Sequence, residues 1–284
     1  VTGPDTNFEN PFRQPDGQTG AVCMGPTGSM QMVRELLQNC AHASQILTRD
    51  EDLRAEIEKT LPQLPPMQIS PTTGELQEWL QDWQRTADCQ VLSSWGAVCG
   101  AQITPRGTPE LAAALRKIFD GPKWWRRGLV GSWQGAFQAN VYARLHDGDT
   151  ALEVVDTHLR RSVNPNLSAS FSGVEWEIDG NLGHTAAIGE MLLQSHVPLS
   201  TGPLVYEIEL LPALPKAWPS GSVTGLRARG GFEVDLRWKD GQLDTATVRS
   251  VTGTGGTIRY QEKTMELNLK PGETIQITGM LTRI

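Results

Sequence analysis

The sequence predicts a mainly α-helical region followed by a C-terminal all-β domain, and two observations support this prediction. From about residue 28 to 196, apolar residues recur at the i, i+3, i+4 spacing of helices that bury one face. After a Pro- and Gly-rich segment at residues 210–221, the pattern changes to the alternation typical of half-buried strands. We therefore expect a helical domain at residues 1–203 and a β-domain at residues 204–284.

The helical region contains about seven segments with this periodicity. In chain order they read MQMVRELLQNCAHASQIL, DEDLRAEIEKTL, GELQEWLQDW, TPELAAALRKIF, GAFQANVYARL, GDTALEVVDTHLRR and TAAIGEMLLQSH. In the β-domain, FEVDLRW places four apolar side chains on one face, KDGQ supplies a hairpin turn, and DTATVRSV continues the hairpin. TIRYQ, MELNLK and TIQIT are predicted to add further strands.

Composition and charge exclude several classes of function. The chain has 284 residues, of which 38% are hydrophobic and 20% charged, as in ordinary soluble globular proteins. A net charge of -7 argues against a nucleic-acid partner or an anionic membrane surface. No apolar run approaches the ~18 residues that would indicate a membrane span. A neutral or sugar-like substrate fits this composition better.

The four cysteines fit no zinc or redox motif such as C-x-x-C. One or two disulfides would suit a secreted protein, whereas four free thiols are the alternative. The chain starts at Val1 without a visible signal segment, so we expect a processed or truncated N-terminus. An extracellular location is the resulting expectation.

Two carboxylates are candidates for acid–base chemistry. A helix over GELQEWLQDW would place Leu76, Trp79, Leu80 and Trp83 on one stripe, with Glu78 roughly opposite. Glu78 would then be either a solvated carboxylate or, among paired helices, a group facing a cleft. Asp179 precedes a Gly-Asn turn and a helix start in EIDGNLGHTAAIGE. It would be either a turn former and cap, or a general base that the helix N-terminus keeps ionised.

Two histidines and the absence of several catalytic motifs limit the classes of reaction that the sequence predicts. His184, Glu190 and His196 are six residues apart on different helix faces, so we predict no metal site and no cofactor. The two histidines are expected to hydrogen-bond substrate or structure. The absence of a G-x-S-x-G elbow, a P-loop and an H-E-x-x-H motif removes the commonest serine hydrolase, nucleotide and zincin interpretations.

Four ordered stretches resemble glycoside hydrolase family 95, the inverting 1,2-α-L-fucosidases. They are LPPMQISPTTGELQEWLQDW, GSWQGAFQANVYARLHDGD, EIDGNLGHTAAIGEMLLQSH and LLPALPKAWPSGSVTGLRARGGFEVDLRWKDGQL, and the resemblance extends from about residue 26 to the C-terminus. It implies an (α/α)6 barrel, only partly present here, followed by an antiparallel β-sandwich. The implied substrate is a fucosylated oligosaccharide with terminal α1,2-linked fucose.

The resemblance also implies residue roles. The Glu of the family's LQEW motif is the general acid and falls on Glu78, and the Asp of its DGN motif is the general base and falls on Asp179. The helix start after Asp179 would form part of the sugar-binding wall. The expected substrate-binding residues are Trp79, Asn181, His184 and His196.

This chain departs from the family pattern at three places. The upstream N-I-N type asparagine motif is missing, and Ser29 stands where the family commonly has Asp. The family's H-R-H-x-S-H-L stretch is replaced by DCQVLSS, with Asp88, Cys89, Gln90, Leu92 and Ser93 at most of those positions. About seven helices are also too few to close the barrel, so a second chain or a missing N-terminal segment could complete it. A non-catalytic carbohydrate-binding or structural fragment therefore stays open beside the fucosidase. An α-L-galactosidase also stays open, because L-galactose differs from L-fucose only by a hydroxyl at C6.

Overall fold

The protein forms two compact units, Val1–Val130 and Gly131–Ile284. The structure is a computed structural model, and it describes residues 3–7, 10–86, 92–121, 132–171, 175–199 and 205–284. The predicted domain boundary between residues 203 and 204 lies outside these ranges and stays a prediction.

Helices dominate the first unit. They are α1 (Thr27–Leu47), α2 (Glu51–Thr60), α3 (Trp95–Val98) and α4 (Pro109–Asp120), accompanied by a small sheet of order β2-β1-β3 formed by β1 (Phe12–Arg13), β2 (Thr19–Gly20) and β3 (Gln84–Arg85). Helix α1 packs against α2 through a short reversal in which Thr48 and Asp50 adopt left-handed backbone conformations. Helix α4 starts with a proline, which suits a position whose N–H has no intrahelical partner.

The predicted helix over GELQEWLQDW is wrong. Residues 74–83 form bends and irregular backbone, with one isolated β-bridge between Leu76 and Ile69. The four consecutive residues 76–79 are all buried, which a helix with one apolar face does not allow. The backbone N–H groups of Leu76 and Gln77 instead donate to the carbonyl oxygens of Ala114 (3.3 Å) and Gln68 (2.9 Å). Gly74, at φ +70°, turns the chain into this segment. Tertiary hydrogen bonds have therefore overridden the local helical pattern.

Three helices lie in the described first part of the second unit. They are α5 (Ser132–Arg144), α6 (Gly148–Arg161) and α7 (Ile178–Leu192), and α5 packs against both of the others. The Asp147 side chain caps α6 by accepting from the N–H of Thr150 at 3.0 Å. Helix α7 starts seven residues earlier than predicted and ends at Leu192, where the chain enters a strand. None of the helices in the described ranges is long and apolar enough to cross a membrane.

Close contact between α5 and α7 depends on a glycine. A Cβ atom at Gly183 would lie 2.6 Å from the Cβ of Ala136, whereas one at Gly189, on the same helix, would meet nothing within 4 Å. We expect Gly183→Ala to lower the free energy of unfolding by about 1–3 kcal/mol through overpacking. Gly189→Ala is the matched control and should raise it by up to about 1 kcal/mol, because alanine favours the helix. Equal effects in urea denaturation would contradict this interpretation.

A two-sheet sandwich forms the C-terminal part. Its strands are β6 (Leu193–Gln194), β7 (Glu207–Leu210), β8 (Gly221–Ala228), β9 (Phe232–Lys239), β10 (Gln242–Ser250), β11 (Gly255–Tyr260), β12 (Lys263–Asn268) and β13 (Thr274–Thr278). One sheet has the order β13-β10-β9-β8 and the other β12-β11-β7-β6. Buried side chains from both sheets, such as Val234 and Ile258, form one core. The strands β4 (Ser170–Phe171) and β5 (Glu175–Trp176) form a separate two-stranded antiparallel sheet.

The predicted order of a helical region followed by an antiparallel β-region is confirmed, with one difference. Strands β7 and β11 pair in parallel, while all other sandwich pairs are antiparallel. The KDGQ turn joins β9 to β10, with Asp240 (φ 53°) and Gly241 (φ 72°) in the left-handed region that a tight hairpin turn requires. The (α/α)6 arrangement stays a prediction.

The cysteines do not form two disulfides. Cys23 is a buried free thiol and Cys40 an exposed one, and Cys89 lies outside the described residues. Burial, assisted by the neighbouring negative charge of Asp5, raises the pKa of the Cys23 thiol to about 11. Cys23 is therefore protonated and unreactive at neutral pH.

Candidate active site

A cleft lined by both polar and aromatic side chains lies beside Glu78 in the first unit. Its volume is about 520 Å³, and its lining includes Thr72, Asp82, Trp83 and Arg85 in addition to Glu78. Contacts within the protein orient these side chains: Arg85 forms an ion pair with Glu75 at 2.9 Å, and the Thr72 hydroxyl donates a hydrogen bond to Asp82 at 2.8 Å. The cleft therefore combines charged groups, a hydroxyl and an aromatic ring, the kinds of group that orient a polar organic ligand.

The carboxyl group of Glu78 is buried and hydrogen-bonded. Only 3% of the residue is exposed, so the solvated-carboxylate alternative is wrong. The Ser93 hydroxyl contacts Oε1 at 2.6 Å, and the Ser93 backbone N–H donates to Oε2 at 3.3 Å. The side-chain amide of Asn7 also donates to Oε2, at 3.2 Å. Three donors from two distant chain segments thus fix one carboxyl group.

Burial raises the pKa of the Glu78 carboxyl above its ordinary value. The hydrogen bond from the Ser93 side chain opposes this shift most strongly, followed by the charge of Arg85 and the hydrogen bond from Asn7. The desolvation of the charged form outweighs these stabilising contacts. Glu78 consequently keeps its proton to a higher pH than an exposed glutamate and can act as a proton donor.

Helix α1 anchors the backbone on which Glu78 sits. The N–H of Thr27, the first residue of α1, donates to the carbonyl oxygen of Glu78 at 2.9 Å. The hydroxyl of the same threonine donates to the carbonyl oxygen of Gln77 at 2.6 Å. An N–H at a helix start lacks an intrahelical acceptor, and the carbonyl oxygen of Glu78 supplies one here. The same hydrogen bond fixes the backbone that carries the Glu78 carboxyl group.

Trp79 belongs to an aromatic cluster of three residues, Phe12, Trp79 and Trp83. Phe12 stacks on Trp83 with ring centroids 4.0 Å apart and meets Trp79 edge-on at 5.5 Å. Trp79 is 1% exposed, whereas Trp83 is half-buried beside the cleft. Trp83, which sequence reasoning did not single out as a binding residue, thus presents more surface than Trp79. The substrate contact expected of Trp79 stays a prediction.

Asp179 and Asn181 lie in the first turn of α7 in the second unit, so the predicted Gly-Asn turn is part of the helix. Asp179 is exposed, and the helix N-terminus favours its negative charge. The Asn181 amide accepts from the N–H of Ala169 at 2.8 Å and donates to the carbonyl oxygen of Leu167 at 2.7 Å. Asn181 thereby ties the 167–169 turn to the helix start, and its substrate contact stays a prediction.

His184 is buried on α7 and stacks on His158 of α6. The two ring centroids are 3.7 Å apart with an interplanar angle of 18°. Desolvation lowers the pKa of His158 to about 4, and desolvation with the neighbouring His158 lowers that of His184 to about 3. Both rings are therefore neutral at physiological pH, which makes their stacking favourable. A substrate contact by His184 stays a prediction.

This histidine pair predicts loss of stability in acid. The unfolded chain binds protons near pH 6.5 but the folded pair does so only near pH 4 and below, so stability falls as the pH drops from about 6.5 to about 3. Between pH 7 and 4.5, the free energy of unfolding of His184→Phe should fall by about 2 kcal/mol less than that of the parent protein. Urea denaturation at both pH values measures this difference. The same loss in both proteins would contradict the assignment.

His196 lies beyond α7, in a buried charged network. Burial lowers its pKa strongly, with further lowering by the charges of Arg144 and Arg229 and a small opposing effect of Glu209. In the same network Arg144 pairs with Glu190 at 2.7 Å. Among the predicted site residues, the structure thus places Glu78 and Trp79 in the first unit and the other four in the second. The direct contact of His196 with substrate stays a prediction.

A helical region that carries a buried carboxyl group beside a cleft, followed by a β-sandwich, is compatible with a glycoside hydrolase. Residues 1–192 match the glycosyl hydrolase family 95 catalytic domain, and residues 203–279 match the C-terminal domain of the same family. The chain belongs to glycoside hydrolase family 95.

Relatives in this family come from a plant and from fungi. The chain is 31% identical over 287 residues to alpha-L-fucosidase 2 of Arabidopsis thaliana, covering 96% of this chain and 32% of that protein. It is 26% identical over 278 residues to probable alpha-fucosidase A of Aspergillus oryzae, covering 88% of this chain and 36% of the relative. The chain therefore spans about a third of the length of these relatives. None of these matches supports a second chain as the source of further barrel helices.

Proposed function

We propose that the protein containing this chain hydrolyses terminal α-linked L-fucose of fucosylated oligosaccharides with inversion at the anomeric carbon. Glu78 acts as general acid and Asp179 as general base. The observation that carries the proposal is the buried Glu78 carboxyl, whose pKa burial raises, in the part of the chain that matches the family's catalytic domain. The names of the plant and fungal relatives favour fucose as the sugar.

The two carboxylates suit opposite roles in an inverting reaction. The acid must be protonated at neutral pH, and burial of Glu78 favours its neutral form. The base must be ionised, and the exposed position of Asp179 in the first turn of α7 favours a negative charge. In the proposed reaction Glu78 protonates the leaving glycosidic oxygen, while Asp179 takes a proton from a water that attacks the opposite face of the sugar.

The direct test is the stereochemistry of the released sugar. Protein purified from its native source is incubated with 2'-fucosyllactose, and the anomeric proton of free fucose is followed by NMR before mutarotation. Release of β-fucose is the expected result, because inversion converts the α-linkage into a β-product. First release of α-fucose would contradict the proposed mechanism.

Two further outcomes would replace the proposal. Faster cleavage of an α-L-galactoside than of the corresponding α-L-fucoside would make the protein an α-L-galactosidase. Binding of 2'-fucosyllactose by the folded protein without any release of fucose would indicate a non-catalytic carbohydrate-binding protein.

A further inference from the structure

The two carboxyl oxygens of Glu78 have different kinds of hydrogen-bond partner. Within the described part of the chain, Oε2 receives two N–H groups, from the Asn7 side chain and the Ser93 backbone. Oε1 contacts a hydroxyl instead, the side chain of Ser93 at 2.6 Å. An N–H can only donate in such a contact, whereas a hydroxyl can donate or accept.

This difference determines where a proton can reside. A proton on Oε2 would point at groups that are themselves donors, and such a conflict is costly for a buried carboxyl group. A proton on Oε1 is compatible with the Ser93 hydroxyl, which then accepts. After the proton has left, the same hydroxyl rotates and donates to the carboxylate. Asn7 and Ser93 are fully buried, so their positions are fixed by packing.

We infer that Ser93 and Asn7 are positioning residues that confine the transferable proton of Glu78 to Oε1. This inference rests on the proposed function of Glu78 as general acid. The family's H-R-H-x-S-H-L stretch has been replaced here, so Ser93 is a feature of this chain rather than of the family pattern. Asp88, Cys89 and Gln90 of the same stretch lie outside the described residues.

In the proposed reaction one proton passes from Glu78 to the leaving group. The Oε1–H bond breaks as a bond forms between that proton and the glycosidic oxygen. The bond from this oxygen to the anomeric carbon breaks as the oxygen of the attacking water bonds to that carbon, and the water's proton passes to the proposed base, Asp179. The electron pair of the broken glycosidic bond stays on the leaving oxygen, which departs as a hydroxyl. Glu78 is left as a carboxylate, which the hydroxyl and N–H of Ser93 and the amide of Asn7 stabilise.

Leaving-group dependence tests the inference. Ser93→Ala should lower kcat/KM for 2'-fucosyllactose by about 10- to 100-fold, the effect of losing a hydrogen bond to a charged group. For α-L-fucosyl fluoride, whose leaving group needs no proton, the loss should be below about threefold. Equal losses on both substrates would overturn the inference, because they would indicate a general structural effect.

A matched control separates positioning from packing. Ser44 is a buried serine in the same unit whose hydroxyl donates to a backbone carbonyl, away from Glu78. Ser44→Ala should leave both kcat/KM values within about twofold of the parent. Asn7→Asp provides a second variant, because it replaces a donor with a carboxylate beside Oε2. It should reproduce the selective loss on 2'-fucosyllactose.

The protonation of Glu78 is also measured without turnover. NMR of protein labelled with ¹³C at the glutamate carboxyls, with the Glu78 signal assigned by its absence in Glu78→Gln, reports the titration midpoint. Ser93→Ala should raise that midpoint, because it removes the largest contact that lowers the pKa of Glu78. An unchanged midpoint would overturn the positioning role. If neither substrate is cut by the parent protein while the midpoint rises, the proposed function fails and the control of Glu78 by Ser93 stands.

Discussion

Replacing Glu78 by glutamine is expected to lower kcat/KM for 2'-fucosyllactose by about 10²- to 10⁴-fold, the range of a lost general acid. Glutamine has nearly the shape of the protonated acid but cannot release a proton to the leaving oxygen. Its carbonyl can accept from Asn7 and the Ser93 backbone, and its NH₂ can donate to the Ser93 hydroxyl. The hydrogen bonds around residue 78 are therefore preserved, and the loss reports on chemistry instead of folding.

A surface carboxylate provides the matched control for this experiment. Glu58 lies on α2 in the same unit, and its side chain is 55% exposed. Glu58→Gln should keep kcat/KM within about twofold of the parent value. Rates are followed from the released lactose, and urea denaturation of each variant verifies its stability. If Glu78→Gln retains more than a tenth of the parent activity at unchanged stability, Glu78 is not the general acid.

Local patterns predicted the β-region well because its residues alternate without conflict. Phe232, Val234, Leu236 and Trp238 are all buried on one side of β9, as the sequence pattern requires. The parallel pairing of β7 with β11 could not be predicted, because strand order depends on contacts far apart in the chain. The helix predicted at residues 74–83 is wrong for a similar reason, because the backbone of this segment forms hydrogen bonds with other segments of its unit.

The site was predicted only in part. The resemblance indicated Glu78, and the structure buries this residue beside the cleft; its role as general acid stays a prediction. Ser93 was visible as a departure from the family pattern, but its contact with Oε1 depends on folding across 15 positions. Asn7 carried no signal at all, because it reaches Glu78 across 71 positions from an irregular N-terminal segment. Buried contacts between distant segments do not produce a periodic residue pattern in the sequence.

Truncation of Trp79 is the change expected to affect stability most. Trp79→Ala should lower the free energy of unfolding of the first unit by about 3–5 kcal/mol, because it removes a fully buried ring and leaves a cavity. The ring also contacts Phe12 edge-on, and such aromatic pairs add about 0.5–1.5 kcal/mol beyond the area they bury. The neighbouring Glu78 depends on the same segment for its position, so activity should fall together with stability.

Trp176 provides the comparison, because it is 66% exposed. Trp176→Ala should change the free energy of unfolding by less than about 0.5 kcal/mol. Hydrogen exchange followed by mass spectrometry assigns each effect to its unit, and loss of protection in Trp79→Ala should be confined to residues 1–130. Equal destabilisation by the two substitutions would show that the aromatic cluster of Phe12, Trp79 and Trp83 contributes no more than a surface tryptophan. The hydrogen bonds of Glu78 with Thr27, Ser93 and Asn7 would then position Glu78 without help from the aromatic cluster.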